Sequence, residues 1–268
     1  MEWHSQRVLQ RSQRNLLKCK KKRNAFKKKK NLWNYSSVSD EMTYAQLYSD
    51  SLRVCYNAIK SRNANAYVCI SIDQNWTHTH NSSYYSARSM VEAINACISA
   101  QGNIDWCVAE HPYNFTLKNA NVMAPSNAAL VTHSIDTPYL TMENIEQLTD
   151  FLSQPAFRNT KGGVRPVLLT EVGYTSSQGE DVQAASIVYA YQRAATNQHI
   201  KLITFSRQTD APAEVKQGLA FGLTRTDGSH KASFEYYQQM NGGNAGAYIQ
   251  KAAATLGIAD WNAAMHAR

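Results

Sequence analysis

The sequence predicts an α/β fold in which helical crossovers connect the strands of a parallel sheet. Three observations lead to this prediction: helical and strand patterns alternate along residues 41–256, the strand candidates are apolar runs, and each run ends in a segment with a carboxylate. Alternating helices and strands are typical of parallel sheets. Continuous apolar runs are typical of strands that are buried on both faces.

The helices are predicted from apolar periodicity and from end signals. Residues 41–62 and 83–100 repeat apolar side chains at helical spacing, and Gly102 ends the second of these helices. Thr141 is a candidate N-cap for a helix that runs to Ser153. Further helices are predicted at 181–196, 235–240 and 247–256.

Four strands are predicted, at 66–73, 104–109, 164–171 and 200–206. A complete eight-stranded barrel takes about 250 residues, or roughly 31 for each strand and its helix. These four strands already occupy most of the chain, and four strands do not close a barrel. The sequence therefore predicts either an open parallel sheet or a TIM-barrel-like fold that is incomplete.

The positive charge of the chain is confined to its first residues. Residues 1–30 carry 12 Lys and Arg and a single acid, a formal charge of +11, whereas residues 31–268 carry −3. A dense block of like charges repels itself and stays solvated. We expect two regions: a basic, disordered leader at 1–33 and an α/β domain at 34–268.

Several classes of protein are disfavoured by what the sequence lacks. The five cysteines have no CxxC spacing, so they indicate reduced thiols and no zinc site. No apolar stretch approaches 18 residues, and no apolar core follows the basic start, so neither a membrane span nor a signal peptide is expected. No metal or cofactor is implied, and the sequence leaves the localisation unknown.

The four strand ends bring carboxylates and aromatic rings together. They read DQNW from Asp73, EHPY from Glu110, TEVGY from Thr170 and RQTD from Arg207. Rings pack on the apolar faces of sugars, and acids bind hydroxyls or react at the anomeric carbon. A carbohydrate is therefore the expected substrate or ligand.

Glu171 is the main catalytic candidate, because a carboxylate at the end of a buried strand usually has a partner or a task. Glu110 is the second catalytic candidate. The candidates for substrate binding are His111, Tyr113, Asp73, Trp76, Tyr174, Arg207 and Asp210. Structural alternatives remain open: Glu171 or Glu110 could pair with an arginine, Trp76 could belong to the core, and Asp73 and Asp210 could stabilise loops.

Residues 33–240 resemble an uncharacterised family of glycosidase-like (β/α)8 barrel domains, similar to the clan of retaining glycoside hydrolases. The segments that carry the resemblance are IDWCVAEHPYN, TPYLTMENIEQLTDFL, VRPVLLTEVGYTS and RQTDAPAEVKQGLAFGL. The resemblance implies that the four strands are strands five to eight of a barrel. It also implies that Glu171 is the nucleophile and that His111 and Tyr113 end strand six.

The chain departs from the clan in one respect. The clan's acid/base is a glutamate that follows an asparagine on strand four, and nothing before residue 66 matches it. We therefore expect a truncated glycoside hydrolase-like domain with impaired activity, in which Glu110 is the best internal substitute for the acid. Strands five and eight would be open edges that favour self-association. A carbohydrate-active parent protein would be expected to be exported.

Two other functions are kept as alternatives. The first is a carbohydrate-binding remnant that uses the same acids and rings without hydrolysis. The second is an anionic partner, a nucleic acid or a membrane surface, bound through the leader. We favour a leader without a function of its own, because no interleaved aromatic residues or folded basic face accompany it.

The anionic-partner alternative makes a prediction about salt. Binding through residues 7–30 would weaken steeply as salt is added and would vanish when the leader is deleted, because it would depend on the release of counterions. Titration of labelled DNA with the full chain and with the leader-deleted chain measures both effects. Binding that is indifferent to salt and to the deletion would exclude this alternative.

Overall fold

The computed structural model of the chain describes residue 38 and residues 40–79, 84–124, 127 and 129–267. The predicted leader at 1–33 lies outside the described residues. The chain divides into two compact units, one assigned Met1–Ile70 and Thr79–Trp106, the other Ser71–His78 and Cys107–Arg268. Each unit is described separately below.

The first unit is built on two helices, α1 (Glu41–Lys60) and α2 (Ala87–Ala100). Each helix begins at a side-chain cap: Asp40 accepts a hydrogen bond from the backbone of Thr43, and Ser86 does so from Ser89. The two helices pack together through apolar side chains that include Leu52. Both helices were predicted from periodicity, and their observed ends lie within four residues of the predicted ones.

The four strands are β1 (Cys69–Ser71), β2 (Cys107–Glu110), β3 (Val167–Val172) and β4 (Ile200–Phe205), and they form one sheet in the order β1-β2-β3-β4. The pairings of β2 with β3 and of β3 with β4 are parallel. The boundary between the units falls inside β1, and the amide of Ile72 donates to the carbonyl of Ala109 within the second unit. The predicted α/β fold with four strands and helical crossovers is confirmed.

The remaining helices belong to the second unit. They are α3 (Glu146–Leu152), α4 (Glu180–Thr196), α5 (Pro212–Val215), α6 (Ala232–Gln239), α7 (Ala245–Leu256) and α8 (Trp261–Met265), with a 3-10 turn at Pro155–Phe157. The long helix α4 contacts β4, α6, α7 and α8. No helix within the described ranges combines the length and the apolar character that a membrane span requires.

The start of α3 differs from the prediction that Thr141 is its N-cap. The helix begins at Glu146, and the Thr141 hydroxyl instead accepts a hydrogen bond from the backbone of Glu143. The buried Asn144 explains the delay, because its side chain accepts from the amide of Thr141 and donates to the carbonyls of Thr132 and Tyr139. These bonds hold residues 141–145 in a turn, so helical geometry starts later.

Between Leu169 and Val172, strand β3 carries one residue more than the facing part of β4, and between Val167 and Leu168 the register shifts in the opposite sense. Leu169 is paired with Ile203 and Val172 with Phe205, so two residues of β3, Thr170 and Glu171, stand opposite the single residue Thr204. This two-against-one count defines a β-bulge, which re-aims side chains and is common beside active sites. The prediction of a regular strand ending at Glu171 did not include this bulge.

A buried ion pair fixes the loop that follows β4. Asp210 lies 2.8 Å from the ammonium of Lys231, which also donates to Ser176 and to the carbonyl of Ala220. The side chains of Asp210 and Lys231 are only 6% and 2% exposed. Asp210 also accepts from the amide of Gly222 at 2.7 Å, where a Cβ atom would lie 2.3 Å from the amide nitrogen of Asp210.

We predict that Lys231→Met lowers the free energy of unfolding by about 3–5 kcal/mol, because it leaves the buried Asp210 carboxylate without its cation. Chemical denaturation of the full chain measures this loss. Arg88→Met is the matched control: it removes a partly exposed partner of Glu92 on α2 and should cost roughly 1 kcal/mol or less. Equal losses in the two variants would contradict the structural role of the buried pair.

Candidate functional site

Glu171 is placed by the bulge in β3, within the second unit. Its side chain is 36% exposed, and its Oε2 lies 3.7 Å from Nδ1 of His111. This distance is longer than a hydrogen bond, and it places the carboxylate beside the imidazole. The structure therefore brings the main catalytic candidate next to the histidine that was predicted to accompany it.

His111 follows the last residue of β2, and both of its ring nitrogens face β3. Its Nε2 lies 3.0 Å from the hydroxyl of Thr170, and its Nδ1 faces Glu171. The histidine side chain is only 18% exposed. The imidazole of His111, at the end of β2, thus contacts two consecutive residues of β3, Thr170 and Glu171.

Tyr113 is the third residue of the group formed with His111 and Glu171. Burial raises the pKa of its hydroxyl to about 12, a hydrogen bond with Ser206 opposes the rise, and the charge of Glu171 adds to it. Its ring packs on Phe221, with centroids 5.8 Å apart. A Cβ atom at Gly173 would lie 2.7 Å from the carbonyl oxygen of Ser206 and 3.1 Å from the Tyr113 ring, so this close approach requires glycine.

Glu110 ends β2 in a very different environment. The residue is completely buried, and neither of its carboxyl oxygens has a hydrogen-bond partner of good geometry among the described residues. Burial raises its pKa well above the ordinary value, and the charge of Asp73 raises it further, while the backbone amide of His111 opposes the shift. Its neutral, protonated form is therefore favoured.

Asp73 is exposed and follows β1. Its Oδ1 accepts hydrogen bonds from the backbone and the side chain of Asn75, at 2.9 and 2.8 Å. Such a bond to the amide two residues on is typical of an Asx turn. The predicted loop-stabilising role is thus present, and Asp73 also acts electrostatically on Glu110.

The residues after β4 are engaged with their own loop. Arg207 pairs with Glu214 of α5 at 2.6 Å, and Asp210 pairs with Lys231. The alternative that Asp210 stabilises a loop therefore describes this residue. Arg207 remains beside the site, because its charge acts on the pKa of Tyr113.

Trp76 and Tyr174 are core residues in this structure. Trp76 has no exposed surface, donates from its indole nitrogen to the carbonyl of Ile135 and packs edge-on against Phe151. Tyr174 is 1% exposed, and burial raises the pKa of its hydroxyl. Both residues were candidates for substrate binding, and the rings of both are buried in this structure.

Two features of the site were not predicted. One is Thr170, whose hydroxyl meets His111 because of the bulge. The other is a cluster of three rings near Asp73, in which Tyr139 stacks with His78 at 5.1 Å and packs on Phe115 at 4.6 Å. Phe115 lies two residues beyond Tyr113, and this aromatic repeat was the available signal in the sequence.

Among the described residues, no cluster of His, Cys, Asp and Glu could hold a metal ion.

Comparison with known proteins gives weak structural similarity to carbohydrate-active enzymes. A family 39 glycoside hydrolase from Bacteroides cellulosilyticus WH2 matches at 20% identity and a TM-score of 0.45, covering 78% of this chain and 37% of that chain. A GH2 β-galacturonidase from Eisenbergiella tayi, bound to galacturonate, matches at 11% identity and a TM-score of 0.38, covering 79% and 37%. An exo-β-1,4-mannosidase from Opitutaceae bacterium strain TAV5 matches at 13% identity and a TM-score of 0.35, covering 85% and 44%.

The chain spans less than half the length of each of these three proteins. All three TM-scores lie below 0.5, so these similarities do not establish an activity. None of the curated proteins matches the chain.

A family model also matches the chain. The model of a family of unknown function, DUF5722, matches residues 28–264, which is most of the chain. The predicted resemblance to an uncharacterised family is confirmed, and the chain belongs to the DUF5722 family.

Proposed function

We propose that this chain carries a carbohydrate site of the glycosidase type, with Glu171 as the nucleophilic carboxylate and Glu110 as the proton donor. One observation supports the proposal above the others. Two carboxyl groups lie near the ends of neighbouring parallel strands in opposite surroundings: Glu110 is completely buried, and Glu171 is partly exposed beside a histidine. Carboxyl groups in contrasting environments are typical of acid and nucleophile pairs.

The spacing of the two strands is compatible with this chemistry. Glu110 is in register with Leu169, which lies two residues before Glu171. In regular strands about 4.8 Å apart, two residues span about 6.6 Å and the two Cα atoms would lie roughly 8 Å apart. The bulge at Thr170 and Glu171 departs from this regular spacing. Retaining glycosidases need carboxyl groups about 5–5.5 Å apart, a distance that the side chains can reach from such backbone positions.

The proposed reaction has two steps. Glu171 attacks the anomeric carbon and forms a glycosyl ester, while the bond to the leaving oxygen breaks and that oxygen takes the proton of Glu110. Water then attacks the ester and gives a proton back to Glu110, which releases the sugar and restores both residues. Proton transfer of this kind contributes about 10²–10⁴-fold to the rate.

The other residues of the site suit the binding of sugar hydroxyls. Tyr113 keeps its hydroxyl proton far above neutral pH, because burial raises its pKa to about 12, so it can donate a hydrogen bond. Asp73 is exposed and offers a carboxylate that can accept one. Rings at Phe115 and His78 can pack on the apolar face of a pyranose.

A second candidate function is carbohydrate binding without hydrolysis. Glu110 has no exposed surface, so a substrate oxygen can reach its proton only if a neighbouring group moves. If that movement does not occur, the same residues bind a sugar and leave it intact. The substrate panel described next separates the two functions.

We predict that Glu110→Gln and Glu171→Gln respond differently to the leaving group. Loss of the proton donor should slow hydrolysis of aryl glycosides with poor leaving groups by about 10²–10⁴-fold. It should hardly affect glycosyl-enzyme formation from dinitrophenyl glycosides, whose leaving oxygen needs no proton. Glu171→Gln should abolish turnover of both substrates. The pre-steady-state burst of the leaving group and the initial rates, on a panel of aryl glycosides, measure these effects.

Glu92→Gln is the matched control, because Glu92 lies on α2 of the first unit with its side chain 46% exposed, and it should leave the rates unchanged. Turnover by Glu171→Gln at the parent rate would remove Glu171 from the mechanism. Binding of an oligosaccharide without turnover of any activated glycoside would favour the second candidate function.

We also predict that Glu110 makes stability depend on pH. The pKa of Glu110 is raised in the folded chain above the ordinary 4.5, so its stabilising contribution is complete below pH 4.5 and is lost as the pH rises through the raised value. Replacement by the uncharged Gln removes this loss. The stability of Glu110→Gln relative to the parent chain should therefore grow by about 1.4 kcal/mol for each pH unit in that window.

Urea denaturation at a series of pH values measures this difference. The exposed replacement Glu92→Gln should follow the parent chain across the same range. Parallel curves for Glu110→Gln and the parent chain would show that Glu110 is not a buried neutral acid.

A further inference from the structure

We infer that Thr170 is a positioning residue for Glu171. Its hydroxyl donates a hydrogen bond to Nε2 of His111 and thereby places the single proton of the neutral imidazole on Nδ1, the nitrogen that faces Glu171. The functional meaning of this arrangement depends on the proposed nucleophilic role of Glu171, but the arrangement itself can be measured without any substrate.

The geometry begins with the bulge in β3. In a regular strand, consecutive side chains point to opposite faces of the sheet. Here Thr170 and Glu171 are consecutive, and yet they meet the two nitrogens of one imidazole, at 3.0 and 3.7 Å. The two-against-one pairing with β4 accounts for this, because a bulge turns one of the two side chains out of the regular alternation.

The chemistry of the ring then selects one tautomer. A neutral imidazole has one N–H donor and one acceptor nitrogen. An unprotonated Nδ1 would direct its lone pair at a carboxylate oxygen, which is repulsive, whereas a protonated Nδ1 is attracted to it. Nε2 is then the acceptor, and it needs a donor. The Thr170 hydroxyl, 3.0 Å away, is such a donor.

The hydrogen bond at Nε2 thus helps to decide whether Nδ1 carries the proton, as is common for functional histidines. The Nδ1 proton attracts Oε2 and so restricts rotation of the Glu171 carboxylate. The 3.7 Å separation is longer than a hydrogen bond. Contacts of this kind commonly shorten once a substrate is bound.

The experiment is ¹⁵N NMR of the full chain labelled at histidine, at a pH where the ring is neutral. His111→Gln identifies the His111 signals by their loss. The nitrogen shifts and N–H couplings show which nitrogen carries the proton. Thr170→Val keeps the shape of the side chain and removes the hydroxyl, whereas Thr170→Ser keeps the hydroxyl.

Thr204→Val is the matched control. Thr204 lies on β4 opposite the bulge, so this variant makes the same chemical change on the neighbouring strand. We expect the parent chain, Thr170→Ser and Thr204→Val to show a single tautomer protonated on Nδ1. In Thr170→Val we expect the Nε2 signal to shift and the share of the Nδ1-protonated tautomer to fall, because the acceptor no longer has its donor while Glu171 still attracts the Nδ1 proton.

A parent chain protonated on Nε2 would overturn the inference, even if Thr170→Val does not fold. Unchanged His111 signals in a folded Thr170→Val would overturn it as well. Neither result depends on hydrolysis. A chain without glycosidase activity that still shows the expected tautomer would therefore reject the proposed function and keep the positioning role.

Discussion

Parallel pairing of β2, β3 and β4 is the constraint on which the site depends. Because these strands run in one direction, the residues that follow them emerge at one edge of the sheet. Glu110, Glu171 and Arg207 are far apart in the chain and still become neighbours at this edge. The buried apolar side chains of β2 and β3 and the long helix α4 hold the strands in place.

At this edge, small differences in backbone position create large differences in electrostatic environment. Glu110 is the last residue of its strand and stays inside the apolar layer, where its charged form is disfavoured. Glu171 sits in the bulge of the next strand and reaches both solvent and His111. One sheet thus offers two carboxyl groups of opposite character.

The sequence predicted the fold well, because strands buried on both faces leave long apolar runs and the amphipathic helices leave a clear period. It predicted the site less completely, because several decisive contacts join residues distant in sequence. The bulge at Thr170 and Glu171 is a relation between two strands, and no pattern within one strand shows it. The pairing of Arg207 with Glu214 and the burial of Trp76 likewise depend on how loops fold back.

Gly173 has a consequence for how this site could change. With a carbonyl oxygen 2.7 Å from where a Cβ would stand, any side chain there would push the ends of β3 and β4 apart, and Glu171 lies only two positions earlier. A substitution at Gly173 can therefore change ligand preference only if the backbone at the ends of β3 and β4 also rearranges.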